Sequence, residues 1–253
     1  MSGAGEALSA DRFLGGRLIL QQPLKGYRAG VDPVLLAASV QARPGESLLD
    51  LGCGAGAAAL CAGRRLSGLV LHGLERQPVY AALARRNASG NGLEMQVHEG
   101  DLAAMPEALR QAQFDHVIAN PPYFRRDAST RAVEPGREGA LGEETPLATW
   151  VEAAAKRCKP GGTVTFIHRA ERLPELMTAF AARLGSLELK PLLPRQGRES
   201  QLVLLRGRKN GRAAFRLHAG LLLHAAAAHD GDREDYTPEA SRILRDSAPL
   251  LFG

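Results

Sequence analysis

The stretch from Ser47 to Arg65 restricts this chain more than any other part of it. Ser47 to Leu51 sets three leucines around one acid and reads as a buried strand. Gly52-Cys53-Gly54-Ala55-Gly56 then forces a tight turn, and the alanine-rich run Ala57 to Arg65 suits a helix. Strand, glycine turn and helix in succession are the opening unit of an α/β sheet, because parallel strands need a helical crossover. The glycines let a ligand approach the backbone, and the helix N-terminus offers unpaired N–H groups with partial positive charge, a seat for a ligand carboxylate.

Further strands and helices follow at matching intervals. Leu69 to Leu74 reads as a second strand ending in Glu75, which lies 23 residues past Gly52. That spacing fits a carboxylate that accepts both hydroxyls of a ribose. Pro78 to Gly90 reads as a helix stopped by Gly90-Asn91-Gly92, and Met95 to His98 as the third strand. Gly52, Gly54 and Ala57 also satisfy the relaxed G-x-G-x-x-A pattern, so the loop alone admits a nicotinamide-dependent oxidoreductase. The early third glycine, Gly56, and the strand-end acid Asp101 in HEGD, placed to read an adenine edge, favour S-adenosylmethionine instead.

A second motif is independent of the first. Phe114 to Phe124, FDHVIANPPYF, supplies a buried strand that two prolines stop at once. In an open α/β sheet that C-terminal end is where ligands bind. It carries the Asn120 amide, the rigid backbone of Pro121 and Pro122, and the aromatic face of Tyr123. The set suits a flat group bearing an NH₂: Asn120 and the Pro121 carbonyl each accept one amine hydrogen while Tyr123 stacks on the ring. A dehydrogenase has no evident use for it. As a bare strand-ending turn, Asn-Pro-Pro would also be unremarkable.

Composition sets the outer bounds. A chain of 253 residues, 45% hydrophobic, can bury a sizeable core, and we read one domain over residues 12–253 behind a mobile stretch 1–11. Residues 12–40 suggest a hairpin around Gly15-Gly16 and Gly26 that covers a sheet edge, then a helix from Pro33 to Val40 capped by Asp32. The polar, aperiodic segment 125–146 reads as a substrate loop whose Arg125, Arg126, Arg131 and Arg137 could meet phosphates. Beyond it come helical residues 150–158, a turn at Lys159-Pro160-Gly161-Gly162, a strand over 163–167 and a helix over 173–183. Residues 187–193 and 201–206 suggest a terminal antiparallel pair.

Charge and cysteine usage narrow the partners. A formal charge of +5 and a pI near 9.4 accommodate a polyanion. The densest basic run, Lys190, Arg195, Arg198, Arg206, Arg208, Lys209, Arg212 and Arg216, reads either as a solvated face or as an RNA backbone contact. Three cysteines without a CxxC pair argue against a disulfide framework and a zinc site, and His218, His224 and His229 show no metal-ligand spacing. With no signal pattern and no apolar run near the roughly 20 residues that cross a bilayer, the expected location is the cytoplasm, away from membranes.

Taken together, FLGGRLILQQPLKGYRAGVDPVLLAA, LDLGCGAG, GLE, EGD, NPPYF and KPGGTVTFIHRAERL resemble the class I S-adenosylmethionine-dependent methyltransferases of the small-domain group. They are similar in particular to the tRNA1(Val) adenine-37 N6-methyltransferase family, over most of residues 12 to 205. The resemblance implies a Rossmann-like α/β fold, a seven-stranded sheet in the order 3-2-1-4-5-7-6 with helices on both faces. It implies S-adenosylmethionine over Asp50, Gly52, Gly54 and Gly56, with Glu75 on its ribose, Asp101 and Leu102 near its adenine, and Gly30 to Asp32 close by. It further implies Asn120, Pro121, Pro122 and Tyr123 around the target amine, and tRNA as partner without a metal. Gly26-Tyr27-Arg28-Ala29-Gly30 departs from the Lys-x-Gly-Thr-Asp pattern of better-known members. A protein glutamine or an rRNA guanine would suit the same motif; an O-methyltransferase or a non-catalytic RNA-binding module are further readings.

Overall fold

The computed structural model describes residues 7–125, 142–143, 145–226 and 235–253. It opens with β1 (Leu8–Phe13), β2 (Leu18–Pro23), α1 (Asp32–Ser39), β3 (Ser47–Leu51), α2 (Ala57–Arg65), β4 (Val70–Glu75) and α3 (Pro78–Gly90). Next come β5 (Met95–Glu99), α4 (Glu107–Gln111), β6 (Phe114–Ala119), β7 (Phe124–Arg125), β8 (Gly142–Glu143), α5 (Leu147–Arg157) and β9 (Cys158–Arg169). The chain ends with α6 (Leu173–Ala181), β10 (Gly185–Leu193), β11 (Leu202–Arg208), β12 (Arg216–Leu217), β13 (Leu221–Leu222) and α7 (Pro238–Asp246).

The seven long strands of the main sheet lie in the order β5-β4-β3-β6-β9-β11-β10. Numbered among themselves along the chain, that is the expected 3-2-1-4-5-7-6. The first five are parallel and β11 runs antiparallel to both neighbours, while the two-residue strands β12 and β13 pair with β10. Both faces are covered, which is why these strands read as continuous apolar runs rather than as alternation. Neighbouring residues point to opposite layers. Leu48, Ile118, Ile167 and Leu204 pack with α1, α2, α7 and the β1-β2 hairpin; Leu49, Val117, Phe166 and Leu205 pack with α4, α5 and α6.

Several expectations are corrected. Leu8–Phe13 is a strand and not part of a mobile stretch 1–11, because it pairs along its whole length with Leu18–Pro23; residues 1–6 lie outside the described residues. The hairpin lies across the helices, not along a sheet edge. Leu18 and Leu20 are buried in the core, and β2 turns its free backbone groups to α3, where Asn87 and Asn91 complete them. Asp32 does not cap α1; Val31 occupies that position and the Asp32 carboxylate turns elsewhere. Lys159-Pro160-Gly161-Gly162 does not break the chain before β9 but is absorbed as an irregularity at its start, where the register against β6 shifts and Gly161 takes a φ of 79°. The C-terminal segment forms a helix that its sequence does not announce, α7, with a Thr237 cap, and docks Ile243 and Leu244 into the core.

Asn87 is the joint between hairpin and sheet. It is 2% exposed; its Nδ2 donates to the carbonyls of Gln21 (3.1 Å) and Ala55 (2.9 Å), and its Oδ1 accepts from the Gln21 N–H (2.8 Å). Asn87→Ala should strand three backbone groups and lower unfolding stability by about 2 to 3 kcal/mol. Urea denaturation measures this; a loss below about 0.5 kcal/mol would remove the joint.

Candidate active site

Register brings the motifs to one level. Leu51 is opposite Leu74 on β4 and opposite Ala119 on β6. The next residues, Gly52, Glu75 and Asn120, therefore emerge side by side at the C-terminal end of the sheet, and Asp101 follows two residues past the end of β5. They open into a cleft of about 550 Å³. Of the residues expected here, Gly30, Asp32, Asp50, Gly52, Gly54, Glu75, Asp101 and Leu102 line the cleft, as do Asn120, Pro121, Pro122 and Tyr123.

Gly56 is the exception. It is the N-cap of α2 with φ 88°, and a Cβ there would stand 3.1 Å from Leu60 and 3.4 Å from Ala84. Its role is to let the loop enter the helix under α3, while Ala57 and Ala58 of the first turn reach the cleft. Gly52 is required by a close approach: a Cβ would lie 2.6 Å from the Trp150 ring.

The glycine loop is held from β4. The N–H groups of Gly52 and Cys53 donate to the Leu74 carbonyl at 2.8 and 3.0 Å, and the Gly54 N–H donates to Glu75 Oε2 at 2.9 Å. Glu75 Oε1 accepts from the Gln77 N–H at 2.8 Å. Each carboxylate oxygen keeps a lone pair for a further donor such as a ribose hydroxyl. Asp50 lies beneath the loop, 2% exposed, accepting from the Ala59 N–H at 3.2 Å. Burial pushes its carboxyl up to about 7, against the pull of the Ala59 N–H and with the charge of Glu75 adding to the rise.

The walls fit the methyl donor that the resemblance implied. Acid groups stand at the ends of two adjacent strands, a helix begins at the loop, and a Cβ at Gly30 would meet nothing within 4 Å.

The wall of the cleft that carries the Asn-Pro-Pro-Tyr motif is built by two segments far apart in sequence. Asn120 Nδ2 donates to the Tyr27 hydroxyl at 3.3 Å, and buried Asn120 Oδ1 has no hydrogen-bond partner. The Tyr123 hydroxyl donates to Asp32 Oδ2 at 2.5 Å. Burial and the Asp32 carboxylate hold the Tyr123 phenol well above its ordinary range. The edge of the ring meets His168 at 5.4 Å between centroids, and the Arg169 guanidinium sits 5.5 Å from its centre. His168 is fully buried; burial brings its imidazole down to about 4, so it is neutral, and its Nδ1 accepts from the Arg169 N–H at 2.8 Å.

Sequence reasoning missed Tyr27, Trp150 and His168. Tyr27 stood in the quoted Gly26 to Gly30 stretch, but its partner Asn120 lies 93 residues away. Trp150 read as one position of an amphipathic helix, and no sequence signal set it apart.

The basic run is largely removed from the cleft. β11 runs antiparallel to β9, so Leu202 stands beside Arg169 at the cleft end and Arg208 beside Thr163 at the far end. Arg208, Lys209 and Arg212 are thus at or beyond the far end of the sheet, while Arg206, opposite Thr165, stands within it and turns its side chain to the groove at that far end. Arg206 and Arg216 pair with buried Glu188, and the Arg206 guanidinium also covers the Phe252 ring at 3.8 Å. Arg195 is paired with Asp235, and Lys190 is buried. Arg126, Arg131 and Arg137 lie outside the described residues, as do His229 and the Arg125 side chain. His224 pairs with Asp235 and His218 with Glu188, and among the described residues no group of three or more His, Cys, Asp or Glu is placed to hold a metal ion.

Comparison with known proteins agrees with this geometry. The family model described as methyltransferase small domain matches residues 29–180. A tRNA1(Val) (adenine(37)-N6)-methyltransferase of Actinobacillus succinogenes is 33% identical over 183 residues, 70% of this chain and 75% of that protein. One from Porphyromonas gingivalis is 28% identical over 93% of this chain and 94% of its own. Among solved structures, a predicted O-methyltransferase from Agrobacterium tumefaciens superposes with a TM-score of 0.70 at 27% identity, covering 87% of this chain and 98% of that one. A Thermus thermophilus 16S rRNA N2 G1207 methyltransferase, solved with AdoMet and guanosine, shares the fold at a TM-score of 0.57 and 20% identity, covering 81% of this chain and 50% of that one.

Three outcomes are expected. An acid whose folded-state pKa is raised binds its proton more tightly when folded, so its contribution is full at low pH and is lost as pH climbs from about 4 to about 7. Asp50→Asn should therefore gain stability relative to the parent protein across that interval and hold the gain above it, as followed by urea midpoints; a difference independent of pH would place the titration elsewhere. Arg206→Ala, which takes from Glu188 one of its cations, should cost about 2 to 3 kcal/mol of unfolding stability, whereas Lys209→Ala should leave RNA affinity unchanged in filter binding.

Proposed function

This chain belongs to the methyltransferase small-domain family and is an S-adenosylmethionine-dependent methyltransferase, and we propose that it methylates the N6 amine of an adenine in tRNA. The observation that carries the reading is the Asn120 carboxamide. Its nitrogen is committed to Tyr27, and its buried oxygen has no partner on the cleft wall. A buried acceptor left open costs free energy until a donor arrives, and the N–H of an amine is such a donor.

Bound at the glycine loop, S-adenosylmethionine supplies an electrophilic methyl group. The residues of this chain prepare the other partner. The lone pair of an adenine amine is delocalised into the ring, and the nitrogen must move toward tetrahedral geometry to attack. Asn120 Oδ1 and the Pro121 carbonyl take its two hydrogens, and both hydrogen bonds strengthen as the nitrogen gains positive charge. Tyr123 offers its ring to a base taken out of its stack. The cleft carboxylates are already engaged: Asp32 by Tyr123, Glu75 by two backbone N–H groups, Asp50 by Ala59 and Asp101 by the Ala103 N–H.

Support for adenine in tRNA comes from the relatives that carry that name over most of their length. The RNA would approach the cleft end of the sheet, where Arg28 and Arg169 stand, and the 125–146 segment would take part. Residues 8–253 would act as one domain in the cytoplasm.

The test is twofold. Nucleosides from the tRNA of a deletion strain should lack one N6-methyladenosine that the purified protein restores. With that RNA, Asn120→Ala should slow single-turnover methylation by about 100-fold, the cost of losing one transition-state hydrogen-bonding group, with cofactor affinity unchanged. Turnover near that of the parent protein would make Asn-Pro-Pro only a turn.

A further inference from the structure

We propose that Tyr27 is a positioning residue for methyl transfer, its hydroxyl fixing the Asn120 carboxamide with the oxygen turned into the cleft. The proposal rests on the reading of Asn120 as the acceptor of the target amine. A carboxamide has nearly the same shape either way round, and its terminal torsion is roughly two-fold. One orientation presents an acceptor to the incoming NH₂; the other presents an NH₂ to an NH₂ and repels it. The strand end does not by itself distinguish them.

Tyr27 does. Asn120 Nδ2 donates to the Tyr27 hydroxyl at 3.3 Å, and Oδ1 is left buried without a partner. A phenol can also donate, which would reverse the amide, but the Asp32 carboxylate acts on this one from the same cleft wall. Its negative potential favours the phenol hydrogen turned away from Asn120 and leaves the oxygen lone pairs to the amide.

The hydroxyl is held in place by the chain around it. Tyr80 of α3 grips the Tyr27 backbone on both sides, its hydroxyl accepting from the Tyr27 N–H at 3.0 Å and donating to the Tyr27 carbonyl at 3.2 Å. Gly26, with φ 98°, lets that hydroxyl in, since a Cβ there would stand 3.1 Å from it. Five residues on, Asp32 takes the Tyr123 hydroxyl at 2.5 Å. The segment from 26 to 32 is thus tied at two points to Asn120 and Tyr123, and the Tyr27 hydroxyl meets the motif at the Asn120 amide.

Tyr27→Phe keeps the ring and removes the hydroxyl. It should lower the single-turnover rate at saturating cofactor and RNA by roughly five- to tenfold, the worth of one neutral hydrogen bond, with both affinities and the thermal midpoint retained. In an Asn120→Ala background the same change should have no further effect, because no amide remains to be oriented; equal slowing in both backgrounds would overturn the proposal. Orientation is read without RNA from the Asn120 side-chain amide signals in ¹⁵N NMR, identified by their loss in Asn120→Ala. In Tyr27→Phe they should shift and exchange faster with solvent, and unmoved signals would overturn the proposal even where Asn120→Ala is too slow to time. If the protein leaves tRNA adenine unmethylated, the substrate reading fails on its own while the NMR result still decides the role of Tyr27.

Discussion

The register of three neighbouring strands is the constraint on which the site depends. Because Leu51 stands opposite both Leu74 and Ala119, the residues that follow leave the sheet at one level. A slip of one residue in either pairing would turn every apolar side chain of that strand to the other face. The burial of Leu48 on one side and Leu49 on the other therefore fixes the register and, through it, the distance between Glu75, the glycine loop and Asn120. Site precision here is inherited from core packing rather than added to it.

What lies outside the sheet is joined to it by single polar side chains. Asn87 and Tyr80, both on α3, bind the backbone of the N-terminal hairpin and of the segment after it. Both are more than nine-tenths buried, so their hydrogen bonds are made in a low-dielectric setting where leaving them unmade is costly. The N-terminal segment is thereby a wall of the cleft, contributing Tyr27 and Asp32 to a motif some 90 residues further along. The helix that follows the glycine loop's partner strand holds both walls of the site together.

The distribution of charge follows from the one antiparallel strand. A basic run that is continuous in sequence is divided in space, since β11 carries its first residues from the cleft end and its last to the opposite end. Arg206 is spent on Glu188 and on the Phe252 ring, which explains how an acid so well buried is tolerated inside the sheet. A net positive charge thus states little about where a polyanion would lie; among the described residues Arg28 and Arg76 line the cleft and Arg169 sits over the Tyr123 ring.

The sequence by itself determined the strand–glycine turn–helix unit, the strand ended by Asn-Pro-Pro-Tyr, and the acids at the ends of the neighbouring strands. These are short-range patterns: apolar runs, turn glycines and prolines act within a few residues, so their consequences can be read locally. Even Asp50, Gly52, Glu75 and Asn120 were within reach, because each ends or follows a strand whose apolar pattern marks its limits. Tertiary structure alone decided that Gly56 caps α2 outside the cleft lining, that Asp32 faces Tyr123 rather than its own helix, and that the basic residues from 208 to 212 stand at the far end of the sheet. It alone joined Tyr27 to Asn120. Each of these depends on which strand pairs with which and in which direction, a long-range choice made by burying both faces of the sheet, and no local pattern of residues encodes it.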